Sequence, residues 1–108
     1  MKAERQNEYQ VHFFVSNQSL AVDPSDIEVG IDGRQIFQRE LRTGTQHTWE
    51  RETISVPPGK HTVSVREAKT QTHRSQEVDV SRELWVVIRL LDSAQLKVDV
   101  FDHPVGLM

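Results

Sequence analysis

The chain has 108 residues, 36% hydrophobic and 27% charged, with a formal net charge of −3, five histidines and no cysteine. That is the size of one domain able to bury a core without disulfides or metal, and the missing cysteines exclude thiol catalysis and cysteine-ligated zinc or iron–sulfur sites. Sixteen acidic against thirteen basic residues leave no basic footprint for nucleic acid, and the longest apolar run, Leu84 to Ile88, is far too short to span a membrane as a helix.

Residues 1–8 are polar and mixed in charge and read as a disordered N-terminal segment, leaving 9–108 as a single domain. No secretory apolar core is visible there, so the default expectation is a cytoplasmic protein, or an envelope-associated one if the chain is an excised domain.

Valine occurs 14 times and threonine seven, against four alanines, a bias toward residues that suit a pleated surface. Apolar residues alternate with period two at Val11, Phe13, Val15, then at Ile27, Val29, Ile31, and again at Val63, Val65, at Val78, Val80 and at Leu96, Val98, Val100. Each such run reads as a strand with one buried face. Turn residues punctuate the runs at Asp23-Pro24, Asp32-Gly33, Thr43-Gly44, Pro57-Pro58-Gly59, Ser81-Arg82 and Asp92-Ser93. Asp32-Gly33 predicts a two-residue hairpin with positive φ at both positions, and Pro57-Pro58-Gly59 predicts a second tight reversal. Ser81–Leu84 supports one helical turn at most. The expectation is an all-β, antiparallel β-sandwich of seven or eight strands, immunoglobulin-like or transthyretin-like.

Two segments break the alternation. Trp49 has the opposite parity from Ile54 and Val56, so that strand either carries a bulge near Arg51-Glu52 or shows Trp49 on its outer face. In Leu84–Leu91 both parities are apolar, with Val86, Ile88 and Leu90 on one side and Trp85, Val87 and Leu91 on the other. Such a strand is covered on both faces or half exposed for a purpose.

The stretch Asp26-Ile27-Glu28-Val29-Gly30-Ile31-Asp32-Gly33, followed by Ile54-Ser55-Val56-Pro57-Pro58-Gly59-Lys60-His61-Thr62-Val63-Ser64-Val65, resembles PEGA-type modules and their carboxypeptidase-regulatory-like, transthyretin-like relatives. The shared pattern is a strand into an Asp-Gly hairpin and a Pro-Gly-x-His turn into a strand, over about residues 26–90. The chain departs from it where Arg66-Glu67-Ala68-Lys69 replaces the usual Gly-Tyr, and in the long Thr43–Glu52 loop. The resemblance implies a β-sandwich and a non-catalytic accessory or interaction module.

Residues that carry chemistry elsewhere do not assemble a motif here. His12, His47, His61, His73 and His103 form no close ligand pair, and Asp23, Asp26 and Asp32 lack the order of a calcium loop. Glu50 and Glu52 share a strand face at a spacing that suits acid–base work, but with Arg51 between them they read as the charged flank of an edge strand, together with His47, Thr48 and Trp49. No phosphate loop, dinucleotide fingerprint or nucleophile elbow is present. No cofactor, metal or catalytic residue is expected.

The remaining signal is apolar and out of phase. Phe14 points away from Phe13, and joins Trp85 and Phe101 either as an outer patch or as residues covered by the second sheet. Trp49 among polar neighbours suits stacking on a sugar or anchoring a protein interface. The tail to Val105, Leu107 and Met108 docks on its own sheet or on a second copy. The expected binding set is Trp49, Trp85, Phe14, Phe101, Val105, Leu107 and Met108 as apolar anchors, with Arg51 and Glu50 at a polar rim. The function read from it is protein association, including a homodimer, with a carbohydrate-binding module as the alternative and a small metal-dependent hydrolase behind both.

Overall fold

The computed structural model describes residues 8–19, 21–42, 49–92 and 95–106. They form eight strands and, among the described residues, no helix: β1 (Tyr9–Asn17), β2 (Ser25–Ile31), β3 (Arg34–Leu41), β4 (Glu50–Val56), β5 (Gly59–Glu67), β6 (Thr72–Val80), β7 (Leu84–Leu90) and β8 (Leu96–Phe101). Sheet A has the order β4-β1-β7-β8 and sheet B the order β3-β2-β5-β6. The expected helical turn at Ser81–Leu84 is a bend that leads directly into β7.

The two sheets pack face to face through the period-two residues. Val11, Phe13 and Val15 of β1, Ile27 and Val29 of β2, Val63 and Val65 of β5 and Val86, Ile88 and Leu90 of β7 meet in one continuous core. Phe13, Ile27, Val29, Val65, Val86, Ile88 and Leu90 have no accessible surface at all. Burial of such side chains contributes about 1.5–3 kcal/mol each before the entropy of ordering them is set against it.

Asp32 and Gly33 form the hairpin turn between β2 and β3 with φ of 51° and 83°, the two positive values that match the turn to the strand twist. Opposite Val29-Gly30 the register slips by one, so that Ile36 becomes the extra residue of a β-bulge. The slip turns Ile36 inward, where it packs on the core. A Cβ on Gly30 would meet the Arg34 carbonyl oxygen at 3.1 Å and Ser64 Oγ at 3.2 Å, so a side chain there would make both neighbours give by a few tenths of an ångström.

β4 runs in unbroken register from Val15↔Glu50 to Tyr9↔Val56, so of the two readings of its parity break the outer-face placement of Trp49 holds and the bulge near Arg51-Glu52 does not. One feature departs from the expected antiparallel sandwich. Sheet A is mixed, because β1 pairs antiparallel with β4 and parallel with β7. The Pro57-Pro58 segment reverses the chain, yet it carries it from sheet A to sheet B, since β4 pairs only with β1 and β5 pairs with β2 and β6. Immunoglobulin constant domains place their first strand beside the second; this chain shares the sandwich and not that connectivity.

Candidate functional site

Sheet A positions its outward residues in rows, because pairing aligns side chains of like parity across strands. One row runs Thr53, His12, Trp85, Phe101, and the next runs Arg51, Phe14, Val87, Asp99. Phe14, Trp85 and Phe101 therefore share the outer face of a single sheet. In β7 the set Val86, Ile88 and Leu90 faces the core, and Trp85, Val87 and Arg89 face outward.

Val87 is the centre of this face. It is 4% exposed, yet it is not part of the core between the sheets. A second, smaller apolar cluster thus lies on the outside of sheet A. Trp49 approaches it from the β4 edge, and Val105 and Gly106 return over it from the β8 edge after the bend at Asp102-His103. The two arms and Phe101 enclose a cleft of about 280 Å³ above Val87, Arg89 and Asp99, with Gln18 at its end.

The aromatic rings of this face carry polar covers. The His12 ring stacks on Trp85 with centroids 5.3 Å apart and planes inclined by 24°. Arg51 places its guanidinium carbon 5.3 Å from the centroid of Phe14, and His103 lies 5.6 Å from Phe101. A cation over a ring at such a distance is worth about 0.5–1 kcal/mol at an exposed site. Phe14, Trp49, Trp85, Phe101 and Val105 are all half-buried, and Val100, at 37%, is the one large apolar side chain left exposed among the described residues.

Arg89 and Asp99 form the polar floor of the cleft, with Arg89 Nη2 donating to Asp99 Oδ2 at 3.0 Å. Arg89 Nε is buried without an acceptor, and a buried donor left unpaired costs about 1–3 kcal/mol. Sequence reasoning passed over both residues. The signal was present: Arg89 is the one charge within the apolar run of β7, and it has the outward parity of Val87.

The structure corrects the expected polar rim in one respect. Arg51 lies on the outer face over Phe14, but Glu50 has inward parity and its Oε1 accepts from Arg39 Nη1 of the other sheet at 2.7 Å. Adjacent strand residues cannot share a face, so Glu50 joins the two sheets at the β3/β4 edge. Residues 43–48, with His47 and Thr48, and Leu107 and Met108 lie outside the described residues.

Three polar clusters tie neighbouring elements together. His61 is held between two acceptors, Asp32 Oδ2 at 2.5 Å from Nδ1 and the Pro57 carbonyl at 2.8 Å from Nε2. A neutral imidazole can donate to only one of them. The Asp32 hydrogen bond, opposed by burial, raises the pKa of His61, and the same bond with the Thr62 N–H lowers that of Asp32. This latch ties the β2–β3 turn to the β4–β5 crossover.

Glu67 has no accessible surface. Burial pushes its carboxyl pKa up, but the N–H groups of Asp26 and Thr70 at 2.6 and 2.7 Å and the Thr70 hydroxyl at 2.9 Å outweigh it, and the net direction is down. The third cluster links Thr53 Oγ1 to His12 Nδ1 at 3.0 Å and His12 Nε2 to Glu83 Oε2 at 2.5 Å. With a carboxylate opposite Nε2 the proton sits there, and Nδ1 accepts from the Thr53 hydroxyl. The arrangement fixes the ring over Trp85. Among the described residues no three histidine or carboxylate side chains converge to hold a metal ion.

No protein-family model and no curated protein sequence matches the chain. Among solved structures it is similar to a provisionally named cell adhesion protein from Bacteroides ovatus, at 10% identity and a TM-score of 0.47. The match covers 93% of this chain and 46% of the other, so the chain spans about half the length of that protein. The likeness is one of β-rich architecture.

Proposed function

We propose that this chain is a non-enzymatic binding module, of the PEGA-like or transthyretin-like kind that its hairpin and Pro-Gly-Lys-His turn resemble, and that it works by protein association through the outer face of sheet A. The observation that carries the reading is the second apolar cluster around Val87, flanked by half-buried Phe14, Trp49, Trp85 and Phe101. A sheet face that serves only as a solvated surface has no need of four aromatic rings. Arg51 and His103 lie over two of those rings as amphipathic covers suited to a rim, which stays polar while the centre of an interface is apolar.

The first occupant to test is a second copy, because a symmetric dimer is the commonest closed assembly. Solution mass by light scattering over a concentration series is expected to show a dimer, and Phe101→Asp is expected to return it to a monomer with unchanged circular dichroism. A strict monomer at every concentration removes self-association and leaves the face to an external ligand.

A further inference from the structure

We infer that the cleft between Trp49 and Phe101 is a subsite for one pyranose ring of an uncharged carbohydrate. The inference rests on the reading of the outer face of sheet A as the binding surface, and it adds the chemistry of what enters the cleft on that face. At about 280 Å³ the cleft lies at the lower end of small-molecule sites, enough for a single ring rather than an extended ligand.

Its floor is the Arg89–Asp99 pair, whose charges cancel, so neither an anion nor a cation gains a net attraction there. The pair nevertheless offers N–H donors from one side and carboxylate acceptors from the other, with the Gln18 amide able to do both. A ligand that satisfies both must donate and accept from neighbouring atoms, as vicinal hydroxyls do. The walls are the Trp49 and Phe101 rings and Val105. An entirely apolar ligand would strip water from Arg89 and Asp99 and return nothing, whereas a sugar ring presents a C–H face to an aromatic wall and hydroxyls at its edge.

Two other clefts among the described residues do not combine these properties. The one on sheet B beside Gly30 has no aromatic ring except His73 and no tryptophan or phenylalanine wall. The one at the β2–β3 turn has its histidine locked to Asp32 and Pro57.

The chain holds two tryptophans, and Trp85 does not line the cleft. Nitrogen-15 NMR of the full chain, titrated with methyl glycosides of glucose, galactose, mannose and N-acetylglucosamine at millimolar concentration, therefore has an internal reference. The expected result is a saturable shift of the Trp49 indole and Arg89 Nε signals with one of these sugars, a smaller shift at Trp85, and affinity lowered about tenfold in Asp99→Asn, which keeps the fold because Asp99 is a third exposed. Trp49→Ala, checked for folding by circular dichroism, is expected to abolish the shift of the Arg89 Nε signal. The absence of any saturable shift, shifts unchanged in Asp99→Asn, or preferential binding of glucuronate or phosphate would each overturn it. If the sugars are silent while Phe101→Asp still changes the solution mass, the carbohydrate inference fails and the outer-face reading stands; if both are silent, the carbohydrate inference and self-association fail together.

Discussion

On sheet A the outward positions hold Phe14, Trp85, Val87 and Phe101, whereas on sheet B they hold Glu28, Gly30, Ser64 and Arg66. The two faces solve the same problem, how to end a sandwich against water, in opposite ways. Sheet B meets solvent with charge and small residues, and its ion pairs, such as Arg66–Glu28 at 3.0 Å with 61% and 34% side-chain exposure, contribute little. Sheet A meets it with apolar residues that then need covers: His12 over Trp85, Arg51 over Phe14, and the returning tail over Val87. A surface built only for solubility takes the first route.

The comparison breaks or holds on substitutions matched across the two faces. Val87→Asp places a carboxylate in the outer cluster and is expected to cost about 3 kcal/mol or more, while Ser75→Asp on the outer face of β6 changes stability by less than about 0.5 kcal/mol. Equal effects in urea denaturation would erase the distinction between the faces. Glu67→Ala is the test from the other side, because it removes the one fully buried carboxylate of sheet B and leaves the Asp26 and Thr70 donors unpaired. A loss of about 2–3 kcal/mol is expected, and since the Glu67 pKa is lowered, its contribution is present above the ordinary carboxylate value and lost as pH falls through the lowered one.

Phe14→Ala sharpens the picture further. With a half-buried ring under Arg51 it is expected to cost about 1–2 kcal/mol, against about 3–5 kcal/mol for Phe13→Ala, its neighbour on the core side. A smaller effect than that of Phe14→Ala belongs to the Asp32–His61 latch at the turn of sheet B. His61 has a raised pKa, so its contribution is complete below about pH 6.5 and fades as pH climbs through the raised value. Asp32 has a lowered pKa, so its share is present above about pH 4 and fades as pH falls through the lowered value. The stability difference between the native chain and His61→Ala is therefore greatest in mildly acidic to neutral solution and shrinks in alkali. It stays below about 1 kcal/mol, because the Asp32 side chain is 51% exposed.

Much of this architecture is legible in the residues, because parity and turn chemistry are local. Asp32-Gly33 announces its own turn, and the two apolar parities of Leu84–Leu91 announce a strand whose second face is either covered or exposed for a purpose. Parity names a face and never a neighbour, which is why the parallel pairing of β1 with β7 is invisible in the sequence. Glu50 was misplaced for a related reason: its sequence neighbours are outer-face residues, and only the inter-sheet bond to Arg39 reveals where the side chain goes. Glu67 carries no sequence signal of burial at all, since the donors that hold it come from a turn three residues on and from a strand 41 residues earlier.

The pairing of β1 also sets the order in which the molecule can be put together. Sheet B is assembled from two local hairpins, β2–β3 and β5–β6. Sheet A has its first strand at the centre, where Val11 lies beside Leu84, 73 positions later. The entropy of closing that loop is spent before any contact between the two strands rewards it. Until β7 arrives, β1 has one edge unpaired beside its pairing with β4, so sheet A is complete only once the chain has closed the separation between Val11 and Leu84.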